Sequence, residues 1–230
     1  MSKLKAIVFD LDDTLYSERD FVLSGFQAVA DWGSVNLGIS KEIGYSTLAN
    51  LYYQGVRNNT FNQWLEIHDV QPAAIVPKLL DVYRQHLPKI SPFTDSINLL
   101  KTIADSYKIG LVSDGYLAVQ QQKWTALGLD PFFDAVVFSD SLGRSNWKPS
   151  TAPFESVLAQ LETIPVESVY IGDNPLKDFL GARQLGMYTI QVEHPESEYG
   201  KLQPPSPDHC PHFTVSSLTE VLNTIETINN

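Results

Sequence analysis

The chain has 230 residues and almost no cysteine, since Cys210 is the only one. A single thiol cannot form an internal disulfide, which favours a reducing compartment. Long apolar runs are missing as well, because no stretch approaches the roughly 18 residues that cross a bilayer. Near the N-terminus only four apolar residues, Ala6–Phe9, precede Asp10, so we expect no signal peptide. These absences predict a cytoplasmic protein with no membrane partner.

Positive charge is also scarce. The chain carries 16 Lys+Arg against 27 Asp+Glu, a net charge of −11, and it has no run of basic residues. Such a surface repels phosphate backbones, so we expect no nucleic-acid polymer as a partner. A small anion can still bind in one locally positive pocket. The composition, 43% hydrophobic and 19% charged, is typical of a globular protein.

What the sequence does contain is an alternation of apolar segments and helical patterns. Strands that are apolar on both sides and alternate with helices predict an α/β fold, a parallel sheet covered by helices. The predicted strands are Leu4–Phe9, Lys108–Val112, Ala135–Phe138, Ser168–Ile171 and Thr189–Val192. The predicted helices between them are Asp95–Tyr107, Ala118–Leu127, Phe154–Leu161 and Leu176–Leu185.

One connection in this alternation is too long for a single crossover. Residues 17–89 are surplus between the first strand and the next, and they read as four helices: Phe21–Val35, Lys41–Gly55, Phe61–Ile67 and Pro72–His86. We therefore predict an inserted helical domain at 17–89, and a catalytic core made of 1–16 and 90–230. Its aromatic residues, such as Trp64, are expected to form its own core. Inserted elements beside a site usually act as lids or specificity modules.

The C-terminal part contains the polar, Pro-rich stretch "HPESEYGKLQPPSPDHCPH", for which we predict a surface loop. A final helix, Leu218–Ile228, is predicted after it. His209, Cys210 and His212 lack a fourth ligand at the usual spacing, so we predict no metal site in this loop.

Four predicted strands are each followed by a polar cluster. The clusters are "DLDDT" at 10–14, "SDG" at 113–115, "KP" at 148–149 and "GDNP" at 172–175. In an open parallel sheet, ligands bind outside the carboxyl ends of the strands. If the strands are parallel, the four clusters meet in one crevice.

The charges in that crevice predict its chemistry. Four carboxylates, Asp10, Asp12, Asp173 and Asp178, face one nearby cation, Lys148. Crowded carboxylates either take up protons or bind a cation, and oxygen ligands without His or Cys suit Mg²⁺ better than Zn²⁺. The metal and Lys148 together can hold a dianionic phosphate. The spacing of Asp10 and Asp12 lets one carboxylate attack while the other transfers a proton.

These motifs, in this order, resemble those of the haloacid dehalogenase-like hydrolase superfamily, in particular its phosphatase branch with a helical cap. The matching segments are "DLDDT", "LVSDG", "KPSTAPFE" and "GDNPLKDFLGARQLGM". The resemblance spans nearly the whole chain. It implies a Rossmann-like parallel sheet with an inserted α-helical cap domain.

The resemblance also implies roles for the first and last motifs. Asp10 would be the nucleophile that forms an aspartyl-phosphate, and also a Mg²⁺ ligand. Asp12 would be the general acid and base, and would offer its backbone carbonyl to the metal. Thr14 would orient Asp12, and Asp173 would complete the metal ligands.

The two middle motifs would bind the phosphoryl group. Ser113 and the backbone N–H of Asp114 would contact it directly, and Lys148 would neutralise charge on the phosphate and on Asp10. Asp178 would hold Lys148 or a metal-bound water. The set supplies the positioning and charge stabilisation that phosphoryl transfer needs.

We therefore expect an Mg²⁺-dependent phosphatase acting on a small phosphomonoester metabolite, a sugar phosphate or a nucleotide monophosphate. Alternatives are a phosphomutase or a haloacid dehalogenase of the same superfamily. Asp12 counts against the dehalogenase, because carbon–halogen cleavage leaves no oxygen to protonate. A non-catalytic phospho-acceptor module is a third alternative, which the insertion and the Asp10/Asp12 spacing disfavour.

Overall fold

The computed structural model describes residues 3–195 and 197–230. The chain divides into two compact units, one made of Met1–Glu18 and Ser91–Asn230, the other of Arg19–Ile90. Within the described ranges, no helix is both long enough and apolar enough to cross a membrane.

The first unit is built on a parallel sheet whose strand order is β3-β2-β1-β4-β5-β6. Strand β1 lies between β2 and β4, and all four of its residues are buried, as its unbroken apolar run predicts. The α/β parallel sheet expected from the sequence is confirmed. The strands are β1 Ala6–Phe9, β2 Lys108–Ser113, β3 Ala135–Phe138, β4 Ser168–Gly172, β5 Tyr188–Val192 and β6 Phe213–Val215.

The second unit is helical and packs around a buried tryptophan. The Trp64 indole is fully buried and donates a hydrogen bond to the carbonyl of Gly44 at 2.9 Å. A Cβ on Gly33 would lie 2.6 Å from the same ring, so only glycine lets α1 approach it this closely. The expected aromatic core is thus present at Trp64. The helices are α1 Glu18–Asn36, α2 Lys41–Tyr53, α3 Thr60–Ile67 and α4 Val76–Gln85.

The remaining helices belong to the first unit: α5 Thr94–Ile103, α6 Leu117–Leu127, α7 Ala152–Gln160, α8 Phe179–Leu185 and α9 Val221–Asn229. Helix α8 begins three residues later than the predicted start at Leu176. The reason is local, because Asp178 Oδ2 accepts the backbone N–H of Asn174 at 2.8 Å and so closes a turn before the helix. The predicted helix Leu218–Ile228 begins as a 3₁₀ turn, Leu218–Glu220, and continues as α9.

A strand that was not predicted, β6, follows the C-terminal stretch. This strand is only three residues long and lies at the edge of the sheet, paired with β5. Thr214 in its centre is exposed, so the segment lacks the continuous apolar run of the other strands.

Gly181 brings helix α8 against the loop that carries Lys148. A Cβ on Gly181 would lie 2.9 Å from the backbone oxygen of Ser150, and closer still to that of Pro149. Backbone atoms cannot rotate out of the way as a side chain can. The glycine therefore fixes how closely α8 and the Lys148 loop approach each other.

We expect Gly181→Ala to lower the free energy of unfolding by about 1–3 kcal/mol, because the added methyl group overpacks against backbone. It should also lower activity, since the Lys148 loop must shift. Gly128→Ala is the matched control: its φ is +63°, and a Cβ there meets no atom within 4 Å. The control should cost about 1 kcal/mol through backbone strain alone and leave activity unchanged. Denaturant unfolding and turnover measure both, and equal effects on activity would contradict the argument.

Candidate active site

Asp10 follows β1 directly and carries its side chain into the protein interior. Its backbone N–H donates to the carbonyl of Ile171 at 2.8 Å, which continues the pairing of β1 with β4. Asp10 is only 1% exposed. A buried carboxylate is costly unless a charge or hydrogen-bond donor compensates it.

Lys148 supplies that compensation. Its Nζ lies 2.8 Å from Asp10 Oδ1, 2.7 Å from Asp178 Oδ1 and 2.8 Å from the hydroxyl of Tyr170. The lysine side chain is fully buried, as is that of Asp178. One ammonium group thus joins two carboxylates that come from different ends of the chain.

The pKa values of Asp10 and Lys148 are both shifted by burial and by the neighbouring charges. Burial raises the pKa of Asp10 to about 6, although the nearby Lys148 opposes the shift. Burial alone would lower the pKa of Lys148, but Asp10 and Asp178 outweigh it and raise that pKa above the ordinary value. The lysine is therefore charged, and the cluster still has more carboxylates than cations.

Three carboxylates lie close enough to share one metal ion. Asp10, Asp173 and Asp178 each offer an oxygen, and these oxygens lie within 4.8 Å of one another. Asp10 Oδ2 is buried and has no hydrogen-bond partner among the residues that the structure describes. Burial, together with the charges of Asp178 and Asp10, raises the pKa of Asp173 well above its usual value. A cation would give Asp10 Oδ2 a partner and would favour the ionised form of Asp173, so the residues present fit a divalent metal.

The three carboxylates are not equally available. Asp178 already uses both oxygens, one on Lys148 and the other on the backbone N–H of Asn174. Among the described residues, the Asp173 carboxylate is contacted only at Oδ2, which accepts a hydrogen bond from Ser197 Oγ at 2.6 Å. Asp10 and Asp173 are thus the members with an oxygen left for a metal, while Asp178 mainly holds Lys148.

Asp12 belongs to a second, separate ion pair. Its Oδ1 lies 2.6 Å from Lys123 Nζ and also accepts the hydroxyl of Tyr16, and its Oδ2 accepts Gln120 Nε2 at 2.8 Å. Glu18 lies 3.8 Å from the same ammonium group. Burial by itself would raise the pKa of Asp12, but Lys123 and the hydrogen bonds outweigh it and lower that pKa.

The other residues singled out in the sequence lie around these pairs. Ser113 Oγ is buried and accepts Gln120 Nε2 at 2.8 Å, and Asp114 Oδ1 accepts the backbone N–H of Lys148 at 3.2 Å. Thr14, expected to orient Asp12, is buried, but its hydroxyl has no hydrogen-bond partner within the described part of the chain. The contacts with Asp12 come from Tyr16, Gln120 and Lys123 instead.

A cavity of about 390 Å³ opens beside both ion pairs. Asp10 and Asp12 both line it. Among its other lining residues are Asp13, Glu18, Asp114, Trp147, Lys148, Asp173, Lys177 and Tyr199. Acids outnumber bases on these walls, which favours a ligand that arrives with a cation.

Sequence reasoning missed Gln120 and Lys123, although a signal for them was present. Helix α6 buries Gln120, Lys123, Trp124 and Leu127, which is the i, i+3, i+4, i+7 spacing of a core-facing stripe. Two polar residues in such a stripe indicate buried polar partners.

The second omission lies in the C-terminal loop. That stretch is not only surface, because Ser197 contacts Asp173 and the backbone N–H of Glu198 donates to Asp13 Oδ2 at 3.1 Å. Tyr199 also lines the cavity. No periodicity marks these residues, since they lie in a loop without regular structure.

A model of the family described as haloacid dehalogenase-like hydrolase matches residues 7–192 of the chain. A glyceraldehyde 3-phosphate phosphatase of Methanocaldococcus jannaschii is 27% identical, and the alignment covers 98% of each chain. A pyrimidine 5'-nucleotidase of Escherichia coli is 28% identical over 94% of this chain and 95% of its own.

Solved structures show the same relationship. The crystal structure of a phosphatase of this family from Thermococcus onnurineus superposes with a TM-score of 0.62 at 25% identity, covering 96% of this chain and 98% of that one.

We expect Lys148→Met to lower the free energy of unfolding by roughly 3–5 kcal/mol, because Asp10 and Asp178 then remain buried without their counter-ion. Urea unfolding followed by tryptophan fluorescence measures the loss. Lys101→Met is the matched control: Lys101 is an exposed lysine of α5, and its removal should change stability by less than about 0.5 kcal/mol. A loss at Lys148 no larger than the control would contradict the buried ion cluster.

Proposed function

The chain belongs to the haloacid dehalogenase-like hydrolase family, and on that premise we propose an Mg²⁺-dependent phosphatase that works through an aspartyl-phosphate on Asp10. The relatives support a hydrolase of small phosphorylated metabolites. The observation that carries the mechanism is that Asp10 and Asp12 line one cavity but pair with different lysines. Asp10 has an unbonded oxygen, and Asp12 is held apart by Lys123.

In the proposed first step, the Asp10 carboxylate forms a bond to phosphorus while the ester bond between phosphorus and the leaving oxygen breaks. The dianionic phosphate would favour the protonated form of Asp12 when it binds, and the leaving oxygen takes that proton, so the product alcohol departs neutral. Lys148, at 2.8 Å from Asp10, offsets the negative charge that gathers on the phosphoryl oxygens.

In the second step, water forms a bond to phosphorus and the bond from phosphorus to Asp10 breaks. Asp12, now ionised, takes the proton from that water, which restores the Asp10 carboxylate and the Asp12 carboxylic acid and releases inorganic phosphate. Ser113 and the backbone N–H of Asp114 would bind the phosphoryl group during both steps.

Asp10 and Asp173 would hold Mg²⁺, with the backbone carbonyl of Asp12 as a further ligand. When bound, the ion supplies positive charge that allows the phosphate and Asp10 to approach each other. The fit rests on the buried, unbonded Asp10 Oδ2 and on the oxygen-only ligands.

For the substrate, we propose a sugar phosphate or a nucleotide monophosphate. The names of two relatives, a glyceraldehyde 3-phosphate phosphatase and a pyrimidine 5'-nucleotidase, support that range. We further propose that residues 17–89 act as the cap that sets specificity. The single cysteine is consistent with a cytoplasmic location.

The contacts around Asp12 bear on the alternatives. A dehalogenase releases halide, which needs no proton, so a lysine-held carboxylate at position 12 would have no task there. A phosphomutase would return the phosphoryl group to a substrate and not to water. Release of inorganic phosphate distinguishes it.

The test is hydrolysis of p-nitrophenyl phosphate with and without Mg²⁺. We expect turnover with Mg²⁺, almost none with EDTA, and only a trace for Asp10→Asn, which lacks the anionic nucleophile. Asp105→Asn, at an exposed aspartate of the same unit, is the matched control and should behave like the wild type. Substantial activity of Asp10→Asn with Mg²⁺ would contradict Asp10 as nucleophile. No turnover on any of a panel of phosphorylated metabolites would contradict the phosphatase.

A further inference from the structure

We propose that Lys123, assisted by Gln120, is a positioning residue that fixes the carboxyl group of Asp12 for proton transfer to the leaving oxygen. The proposal rests on the phosphatase function above. Lys123 Nζ lies 2.6 Å from Asp12 Oδ1, and Gln120 Nε2 lies 2.8 Å from Asp12 Oδ2. Each carboxylate oxygen has its own donor, so the group cannot rotate freely about its last bond.

Both donors come from one face of helix α6. Gln120 and Lys123 are three residues apart, which places them one above the other on a helix. They are 1% and 4% exposed, so neither belongs to a solvated surface. The helix follows the end of β2, where Ser113 and Asp114 lie, and Gln120 Nε2 also contacts Ser113 Oγ at 2.8 Å. One helix thus ties the proton donor to the predicted phosphate-binding loop.

Stability alone does not account for a lysine at this position. Buried ion pairs often add little net stability, because removing two charges from water costs about as much as their attraction returns. A methionine of similar length would pack in the same space without that cost. The pair is explained if an exact placement of the Asp12 carboxyl group is needed. Glu18, 3.8 Å from Lys123, is too far for a hydrogen bond and does not replace Asp12.

The role predicts an effect that depends on the leaving group. An alkyl phosphate releases a strongly basic oxygen and needs the proton from Asp12 as the bond breaks. A p-nitrophenolate ion is a weak base and leaves almost unaided. Loss of correct positioning therefore slows the first step for an alkyl phosphate much more than for p-nitrophenyl phosphate.

The experiment compares kcat/KM for glycerol 3-phosphate and p-nitrophenyl phosphate, at saturating Mg²⁺, in the wild type and Lys123→Met. We expect the alkyl-to-aryl ratio of kcat/KM to fall about 10- to 100-fold in the variant. The variant should also show a burst of p-nitrophenolate, because the second step depends on Asp12 as base. Lys101→Met, at an exposed position of α5, is the matched control and should keep the wild-type ratio.

A second arm tests whether Lys123 acts through Asp12. In an Asp12→Asn background, Lys123→Met should change the ratio by less than about twofold, since residues that act as one unit are not additive. Lys123→Arg, which keeps the charge, should recover part of the ratio. Circular dichroism and thermal unfolding report on folding, and Lys123→Gln replaces Lys123→Met if the latter does not fold.

The outcomes are decisive in each direction. Equal losses on both substrates would assign Lys123 a structural role and overturn the proposal. Failure of both Lys123→Met and Lys123→Gln to fold would do the same. If the wild type hydrolyses neither ester, the phosphatase function fails first, and that result is distinguishable because it precedes any variant.

Discussion

The buried ammonium group of Lys148 contacts Asp10, Asp178 and Tyr170 at 2.7–2.8 Å, and so ties three separate segments of the chain together. A lysine charge without solvent is tolerated only beside carboxylates, and carboxylates so crowded need a cation. In this cluster the lysine supplies the positive charge that the carboxylates need, and the carboxylates supply the negative charge that the lysine needs. The loop after β3, the end of β1 and the turn before α8 must therefore fold around the same point, and the cavity exists where they meet.

Within that cavity the chain keeps its two key carboxylates chemically distinct. Asp10 shares Lys148 with Asp178, and burial raises the pKa of Asp10. Asp12 pairs with Lys123 instead, and its pKa is lowered. Carboxylates two residues apart would behave alike in water. Their different partners, in the loop after β3 and on helix α6, move the two pKa values in opposite directions.

Much of this follows from the sequence, but not all of it. The apolar run of β1 and the polar ends of four strands predicted the sheet and the position of the site. Lys123 was not predicted as a site residue because lysine side chains are usually exposed. Only its spacing from the other buried residues of α6 indicates that it faces the interior. Ser197 was beyond prediction, since a polar loop residue acquires its partner, Asp173, only through tertiary packing. Strand β6 was too short to show a pattern.

The central claim is that phosphorus becomes bonded to Asp10 during turnover. The most direct measurement is rapid acid quenching of the protein with substrate and Mg²⁺, followed by mass spectrometry of its proteolytic peptides. The account predicts a peptide that contains Asp10 and carries the mass of one phosphoryl group, absent when substrate is omitted. A phosphoryl group found on any other residue, or none found under conditions of active turnover, would contradict it.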